Sequence, residues 1–224
     1  MMRLSESDHK LVTDAVTEAE RRTDGEIVTV VADRSDSYHD VGLHYAVLVM
    51  VLVPVVWGLL PQSVIDWGLG LVLGWNEPLT RRTLMTLLFV KLAGAFLVVR
   101  YLLAWMPLRM ALTPRKTKAR RVRRRAVELF RVGAERRTVG RTGVLIYLSL
   151  RERRAEIVAD DAIGEYVKPE VWGEAMALLI GDVKDGRPGE GMARAVSVVG
   201  RTLALHFPKS SRDTNELPDR LIEL

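Results

Sequence analysis

The sequence contains no cysteine, and a long central stretch contains no acidic residue. Without cysteine the chain cannot form disulfides, thiolate metal sites or a thiol nucleophile. No Asp or Glu occurs between Pro78 and Val127, and no Asp, Glu, Lys or Arg occurs between Val41 and Ile65. The overall figures of 48% hydrophobic and 27% charged residues therefore hide a strong segregation of apolar and charged segments along the 224 residues.

Common targeting and catalytic signals are also missing. The N-terminal segment MMRLSESDHK is polar, so we expect no secretory signal peptide there. No G-x-S-x-G, P-loop or G-x-G-x-x-G motif lies between a predicted strand and a predicted helix. The four histidines, His9, His39, His44 and His206, do not pair at HxxxH or HExxH spacing. The sequence thus carries no signature of a nucleotide-binding, serine-hydrolase or zinc-protease site.

Two long apolar segments predict a transmembrane hairpin over residues 41–108. The first, from Val41 to Leu60, has about the 20 residues that a helix needs to cross a bilayer core of about 30 Å. The second runs from about Leu84 to Leu108, and its charged residues are Lys91 and Arg100. We expect these two side chains to reach opposite membrane surfaces, the alternative being an intramembrane polar site. For the first segment the alternative is a buried helix of a soluble protein.

The connection between the spans, residues 61–83, predicts a segment in the membrane interface. Its apolar core, Val64 to Trp75, has 12 residues and is too short to cross a bilayer. Trp67 and Trp75 bracket this core, and tryptophan favours the level of the lipid headgroups. We therefore expect an interfacial helix here rather than a third span.

A basic cluster over residues 109–125 predicts the orientation. It consists of Arg109, Arg115, Lys116, Lys118, Arg120, Arg121, Arg123, Arg124 and Arg125. The positive-inside rule then places both termini and the soluble part in the cytoplasm. The cluster would contact anionic lipid headgroups. Because neither interleaved aromatic residues nor a groove-reading motif accompanies it, we expect no binding of nucleic acid.

The remaining pieces, residues 1–40 and 109–207, predict one small α/β domain. Ser5 is a plausible helix N-cap with Asp8 in the first turn, and Glu26–Ala32 is rich in β-branched residues. The second piece predicts a helix over about 114–136, strands over 143–150 and 155–160, and helices that start near 168 and 188. Either piece alone has too little apolar surface to fold, so we expect one domain split in sequence. Residues 208–224 predict a loose polar tail.

The order of these elements resembles the TPM domain, the family that includes the thylakoid acid phosphatase and photosystem II repair factor, and in particular its bacterial membrane branch. The likeness is carried by T-x-G-E at 23–26, the strand EIVTVV, ELF at 128–130 and GVLIYLSLRERRAEIVADDAI, and it covers residues 4–32 and 119–207. It implies a sheet flanked by helices, divalent-cation binding, and either weak phosphatase activity or an auxiliary role at membrane complexes. The chain departs from the family at 160–162, where Asp-Asp-Ala replaces a glycine-rich turn.

Acidic residues at two strand ends are the candidate metal ligands. Asp160 and Asp161 end a predicted strand, Glu165 follows within one helical turn, and Asp24 and Glu26 flank the start of the first strand. Carboxylate oxygens suit Ca²⁺ or Mg²⁺, and such a cation could polarise a phosphoryl oxygen. In the alternative, these acids cap helices, accept hydrogen bonds in turns and stay solvated. Asp160 and Asp161 would then also neutralise Arg153 or Arg154 nearby.

Two functional hypotheses follow from the sequence. In the first, a membrane-tethered domain binds a membrane protein and acts as an auxiliary, assembly or maintenance factor without catalysis of its own. In the second, the chain is a divalent-cation-dependent phosphatase that uses Asp160, Asp161 and Glu165. The lack of a recognisable catalytic constellation favours the first hypothesis.

Overall fold

A computed structural model describes residues 4–74, 80–133, 142–210 and 217–224 of the chain. The chain divides into two compact units. The sheet unit comprises Met1–Ser37 and Pro114–Leu224, and the hairpin unit comprises Tyr38–Thr113. The predicted interfacial Trp75 and the predicted helix end at residue 136 lie outside the described residues.

The helices and strands follow the sequence prediction in most places. In chain order they are α1 Glu6–Glu20, β1 Glu26–Ala32, α2 His39–Leu59, α3 Gln62–Leu73, α4 Arg81–Leu102, α5 Met106–Leu112, α6 Arg115–Gly133, β2 Gly143–Ser149, β3 Arg154–Ala159, α7 Asp161–Gly164, α8 Pro169–Lys184, α9 Pro188–His206 and β4 Ile222–Glu223. The predicted start of the first helix is confirmed in detail. The Asp8 backbone N–H donates to Ser5 Oγ at 3.1 Å, and the Ser5 backbone N–H donates to Asp8 Oδ2 at 2.9 Å, which forms a capping box.

The sheet unit contains a four-stranded mixed sheet in the order β3-β2-β1-β4. β1 and β2 pair in parallel, from Glu26 opposite Gly143 to Ala32 opposite Ser149, while β2 and β3 are antiparallel neighbours. Since β1 precedes the hairpin unit in sequence and β2 follows it, the two sequence pieces share one hydrogen-bonded sheet. The predicted mixed α/β class, with a small sheet flanked by helices, is confirmed.

Helices cover both faces of this sheet. On one face α1, α8 and α9 bury a core that includes Val12, Leu179 and Val199 together with Ile27 and Ile146 from the strands. On the other face α6 packs against the alternate residues of β1 and β2, and its core is formed by Val122, Ala126, Phe130, Val28, Val30, Leu145 and Tyr147. Every residue of β1 and β2 is buried, as expected for parallel strands covered on both sides.

The expected loose tail is wrong for residues 217–224. β4 pairs in parallel with β1, and the Leu224 backbone N–H donates to the Val31 carbonyl oxygen at 2.9 Å. Leu217 is buried on the α6 side of the sheet, and Leu221 is buried on the opposite side. The segment LPDRLIEL is short, contains a proline and has a single β-branched residue, so it lacks the β-branched alternation that predicts a strand. Tertiary pairing with the open edge of β1 holds it in place.

Two helices of the hairpin unit, α2 and α4, are long and apolar enough to cross a membrane by length and composition. Their most apolar windows have mean hydropathies of 2.0 and 1.8, and only 17% and 0% of those windows is buried inside the protein. α2 and α4 pack against each other, and α3 follows α2. The apolar side chains of both helices therefore point outward on most sides.

Lys91 of α4 has a partner that the sequence analysis did not predict. Its ammonium Nζ lies 3.0 Å from the ring centroid of Trp57 near the C-terminal end of α2, so the side chain turns toward the neighbouring helix. An aromatic ring attracts a cation through its negative face, and this attraction grows where water is excluded. The pair therefore offers Lys91 a partner within the hairpin unit.

Arg109 also departs from its predicted role in the basic cluster. It is 4% exposed and belongs to the hairpin unit. Its guanidinium donates from Nε to the Leu103 carbonyl oxygen at 2.7 Å and from Nη2 to the Ala104 carbonyl oxygen at 3.1 Å, and its Nη1 lies 3.2 Å from His39 Nδ1. Arg109 thus joins the C-terminal end of α4 to the start of α2 and lies buried within the hairpin unit.

Candidate functional site

Three of the five predicted metal ligands, Asp24, Glu26 and Asp160, lie at the edge of the sheet where β1 and β2 begin and β3 ends. Glu26 pairs with Gly143 across the first rung of the parallel ladder. Asp160, directly after β3, accepts a hydrogen bond from the Gly143 backbone N–H at 3.0 Å. Strand pairing therefore brings the two acidic segments, more than a hundred residues apart in sequence, to the same edge.

Three of these carboxylates hold backbone N–H groups. Besides Asp160, Asp24 accepts from the Ser210 N–H at 2.7 Å, and Glu26 accepts from the Leu217 N–H at 3.2 Å. Asp160 and Glu26 are buried, so these bonds satisfy polar groups that water does not reach. The remaining two residues of the set, Asp161 and Glu165, are exposed at the two ends of α7. The three N–H donors lie 17 to 191 residues away in sequence, so these bonds are tertiary contacts and not the turn hydrogen bonds of the alternative. The burial of Asp160 and Glu26 also differs from the solvated state that the alternative expects, whereas Asp161 and Glu165 are exposed.

No group of three or more His, Cys, Asp or Glu side chains in the described parts of the chain is arranged to hold a metal ion. Ca²⁺ takes six to eight oxygen ligands, and Mg²⁺ is also held through oxygen ligands. The metal-binding role of Asp24, Glu26, Asp160, Asp161 and Glu165 therefore stays a prediction, and their observed contacts serve the fold.

A buried carboxyl that sequence reasoning missed lies close to this edge. Glu20, the last residue of α1, is 7% exposed, and its Oε1 accepts the Ile27 backbone N–H at 2.8 Å. Its Oε2 is buried without a hydrogen-bond partner among the residues described. Burial, reinforced by the negative charges of Glu26 and Asp219, raises the pKa of Glu20 from 4.5 to about 8. The sequence signal for this burial is helical spacing, because Glu20 follows the buried Val16 by four residues and so lies on the same face of α1.

Protonation of Glu20 should make the stability of the sheet unit depend on pH. The folded-state pKa lies above the unfolded value, so the stabilisation is complete below about pH 4.5 and is lost as pH rises toward 8. Over that window the free energy of unfolding should fall by up to about 1.4 kcal/mol per pH unit. Glu20→Gln should flatten this slope, which thermal unfolding of the full chain in an uncharged detergent at pH 5, 6, 7 and 8 would measure.

Glu18→Gln is the matched control for this experiment. Glu18 lies on the same helix, is exposed, and forms ion pairs with Arg21 and Arg22. Its removal should leave the pH slope as in the wild type. Parallel pH profiles for the wild type and Glu20→Gln would show that Glu20 is ionised throughout and has no part in the pH dependence.

At the opposite edge of the sheet, basic side chains surround a concavity of about 490 Å³, which we call the basic pocket. It lies between the start of α6, the β2–β3 turn and the end of α8. Its polar lining consists of Arg115, Lys118, Glu152, Arg153, Arg154 and Lys184. Ligands of open α/β sheets commonly bind beyond the carboxyl ends of parallel strands, which is the edge where β2 turns into β3.

Glu152, the one acidic residue that lines the basic pocket, accepts hydrogen bonds from buried neighbours behind the pocket wall. It is buried, its Oε1 accepts the Ser35 backbone N–H at 3.0 Å, and its Oε2 accepts the Ser149 hydroxyl. Ser35 Oγ in turn lies 3.0 Å from the Tyr147 hydroxyl oxygen. This network fixes the turn that carries the pocket's arginines.

Arg153 in the β2–β3 turn has a left-handed backbone conformation with φ of 49°. For a residue with a Cβ this conformation costs about 1–2 kcal/mol, and glycine is the usual occupant. The turn is closed by the Arg153 N–H, which donates to the Leu150 carbonyl oxygen at 3.2 Å. The predicted strand bounds leave residues 151–154 as the connection between the two strands, but they do not indicate that an arginine occupies its strained position.

The rest of the predicted basic cluster on α6 is partly engaged in ion pairs. Arg121 and Arg124 contact Asp36 Oδ2 at 2.8 and 3.4 Å, and Arg123 contacts Glu156 at 3.3 Å. These pairs hold α6 against the segment after β1 and against β3. The contact of this cluster with lipid headgroups stays a prediction.

Comparisons with known proteins give one result on the fold. No family model matches the chain, and no curated protein matches it. Among solved structures, the chain is similar to the NMR structure of the BA42 protein from the psychrophilic bacterium Bizionia argentinensis, with a TM-score of 0.55 and 17% sequence identity. The match covers 99% of this chain and 95% of that chain. At this identity the likeness concerns the fold alone.

Proposed function

We propose that this chain is a membrane-anchored auxiliary protein with a TPM-like domain. Its α/β domain, held at the cytoplasmic surface of a bacterial inner membrane by a two-pass hairpin, binds a membrane protein complex and assists its assembly or maintenance. The observation that supports this function best is the outward apolar surface of α2 and α4, of whose most apolar windows 17% and 0% is buried within the protein.

Burial of this surface in lipid is strongly favourable. The exposed apolar side chains of the two helices include Leu48, Val51, Leu52, Val55 and Val56 of α2 and Met85, Phe89, Val90, Val98 and Leu102 of α4. Removing apolar surface from water is worth about 25 cal/mol per Å². Continuous apolar patches of this size on soluble monomers are rare, and a bilayer or a partner normally covers them.

The proposed orientation is supported by the basic residues after α5. The proposed binding role is supported by the hydrogen bonds that the acidic-edge carboxylates form. The basic residues that follow α5 favour the cytoplasmic side under the positive-inside rule. At the acidic edge, Asp24, Glu26 and Asp160 hold backbone N–H groups, and the described chain brings no metal-binding group together there. A non-catalytic role therefore has more support than the phosphatase alternative.

Site-specific photocrosslinking in native membranes tests the partner role. A photoreactive amino acid would be placed in turn at exposed apolar positions of the sheet unit, namely Leu11, Val132, Tyr166, Leu178 and Leu205. We expect a discrete adduct with one membrane protein from a subset of these positions that lie together on the surface. Adducts of equal yield from all positions, or none from any, would contradict a specific partner.

Phosphate release from phosphoesters provides the opposing test. Asp161 and Glu165 are exposed, so their replacement by alanine should leave the fold intact. The binding role predicts no turnover that depends on Ca²⁺ or Mg²⁺ in the wild type. Metal-dependent turnover that this double substitution abolishes would restore the phosphatase hypothesis.

A further inference from the structure

We propose that the basic pocket binds a phosphate group, carried either by a lipid headgroup or by a soluble phosphate compound. This inference goes beyond the auxiliary role and does not depend on the identity of a protein partner. It rests on the charges, the construction and the backbone of the pocket.

The charges that line the pocket are unbalanced. Five cationic side chains, Arg115, Lys118, Arg153, Arg154 and Lys184, accompany the single carboxylate of Glu152, which leaves a net charge of +4. Within the described residues none of the five is in an ion pair, whereas several neighbours on α6 are. Burial lowers the pKa of Lys118, the carboxylate of Glu152 opposes this shift, and the charges of Arg154 and Arg115 add to it. An anion in the pocket would relieve the repulsion of Lys118 by the two arginines.

Three separate elements supply the cations, so a ligand could contact them from several directions. Arg115 and Lys118 come from the first turn of α6, and Lys184 comes from the last turn of α8. Arg153 lies in the β2–β3 turn, and Arg154 is the first residue of β3. Guanidinium groups bind phosphate oxygens in a bidentate manner, and lysine adds a compact positive charge. A concavity of about 490 Å³ is large enough for a phosphate group with its ester substituent.

The backbone conformation of Arg153 also supports a ligand site in the basic pocket. The turn holds a charged side chain at a left-handed position where glycine would be more stable. Strained residues cluster at ligand sites, and here the strained residue carries one of the five cations. Arg153→Gly therefore separates binding from folding, because it removes a cation while relieving backbone strain.

Titration of the full chain in an uncharged maltoside detergent tests the site. The probes are inorganic phosphate and dihexanoyl phosphatidylglycerol, each followed by isothermal calorimetry. The pocket variant combines Arg153→Gly with Lys184→Gln. The control combines Lys116→Gln with Arg120→Gln, which removes the same charge from exposed positions of α6 that do not line the pocket. We expect the pocket variant to bind at least tenfold more weakly, and the control to change by less than twofold.

The two probes distinguish the source of the phosphate. Phosphatidylglycerol that binds at least tenfold more tightly than inorganic phosphate, and displaces it, assigns the pocket to a lipid headgroup. Equal affinities assign it to a soluble phosphate compound. No saturable binding of either probe, or equal weakening in the pocket and control variants, would overturn the proposal. The thermal midpoint of Arg153→Gly should be unchanged or raised, so that weaker binding does not reflect unfolding.

Discussion

Replacing both Leu217 and Leu221 with alanine should unfold much of the sheet unit at 25 °C. Both side chains are buried, Leu217 against the α6 side of the sheet and Leu221 against the α1, α8 and α9 side. Each buried Leu→Ala change costs about 2–5 kcal/mol. Since the two residues lie on opposite faces, the costs should add to about 4–10 kcal/mol, which approaches the whole stability of a typical domain, about 5–15 kcal/mol.

Chemical denaturation of the full chain in detergent, followed by circular dichroism, would measure this loss. Leu224→Ala is the matched control, because Leu224 is in the same segment but is 53% exposed. It should change the free energy of unfolding by less than about 0.5 kcal/mol. A double variant as stable as this control would show that residues 217–224 do not pack on the sheet.

Replacing Arg109 with methionine should destabilise the hairpin unit by about 3 kcal/mol or more. Methionine has a side chain of similar length without hydrogen-bond donors, so the carbonyl oxygens of Leu103 and Ala104 would lose a charged partner. Hydrogen bonds to charged groups contribute about 1.5–3 kcal/mol each, and a buried group left unpaired costs a comparable amount. His39 at the start of α2 would lose its contact as well.

Unfolding of the full chain by titration with an anionic detergent would report this change through the helical signal. Arg109→Lys should lose part of the stability, because one ammonium group cannot reproduce the fixed fork of the guanidinium. Arg120→Met, at an exposed position of α6, should have little effect. If Arg109→Met is as stable as Arg120→Met, the contacts of Arg109 do not stabilise the junction between the end of α4 and the start of α2.

Elements with strong local patterns could be predicted from the sequence. β1 has the predicted bounds because EIVTVVA is a continuous β-branched run. The first helix begins at the predicted cap because Ser5 and Asp8 satisfy each other's backbone N–H groups. The two long apolar helices could be predicted because their composition differs sharply from that of the flanking segments.

Elements that depend on tertiary partners could not be predicted. β4 has two residues and forms only because β1 presents an open edge. The ion-pair and hydrogen-bond partners of the charged residues also depend on the tertiary structure and could not be predicted. A count of basic residues could not separate Arg109, which is buried within the hairpin unit, from Arg121, which pairs with Asp36.

For the candidate sites too, the positions of single residues could be predicted, whereas their tertiary contacts could not. Strand ends could be located from the sequence, so the acidic residues next to them could be named individually. The contacts of Asp160 and Glu26 with backbone N–H groups depend on strand register and on the tail, which the sequence does not reveal. The basic pocket joins residues from three distant segments, so no local motif could indicate it.

Cysteine labelling in intact bacterial cells tests the transmembrane arrangement most directly, because the native chain has no cysteine. Single variants Ser7→Cys, Ser63→Cys and Ser210→Cys would report on α1, on α3 and on the segment after α9. A membrane-impermeant maleimide should label Ser63→Cys in intact cells and the other two only after permeabilisation. Protection of all three until lysis, with the protein recovered in the soluble fraction, would contradict a two-pass membrane protein.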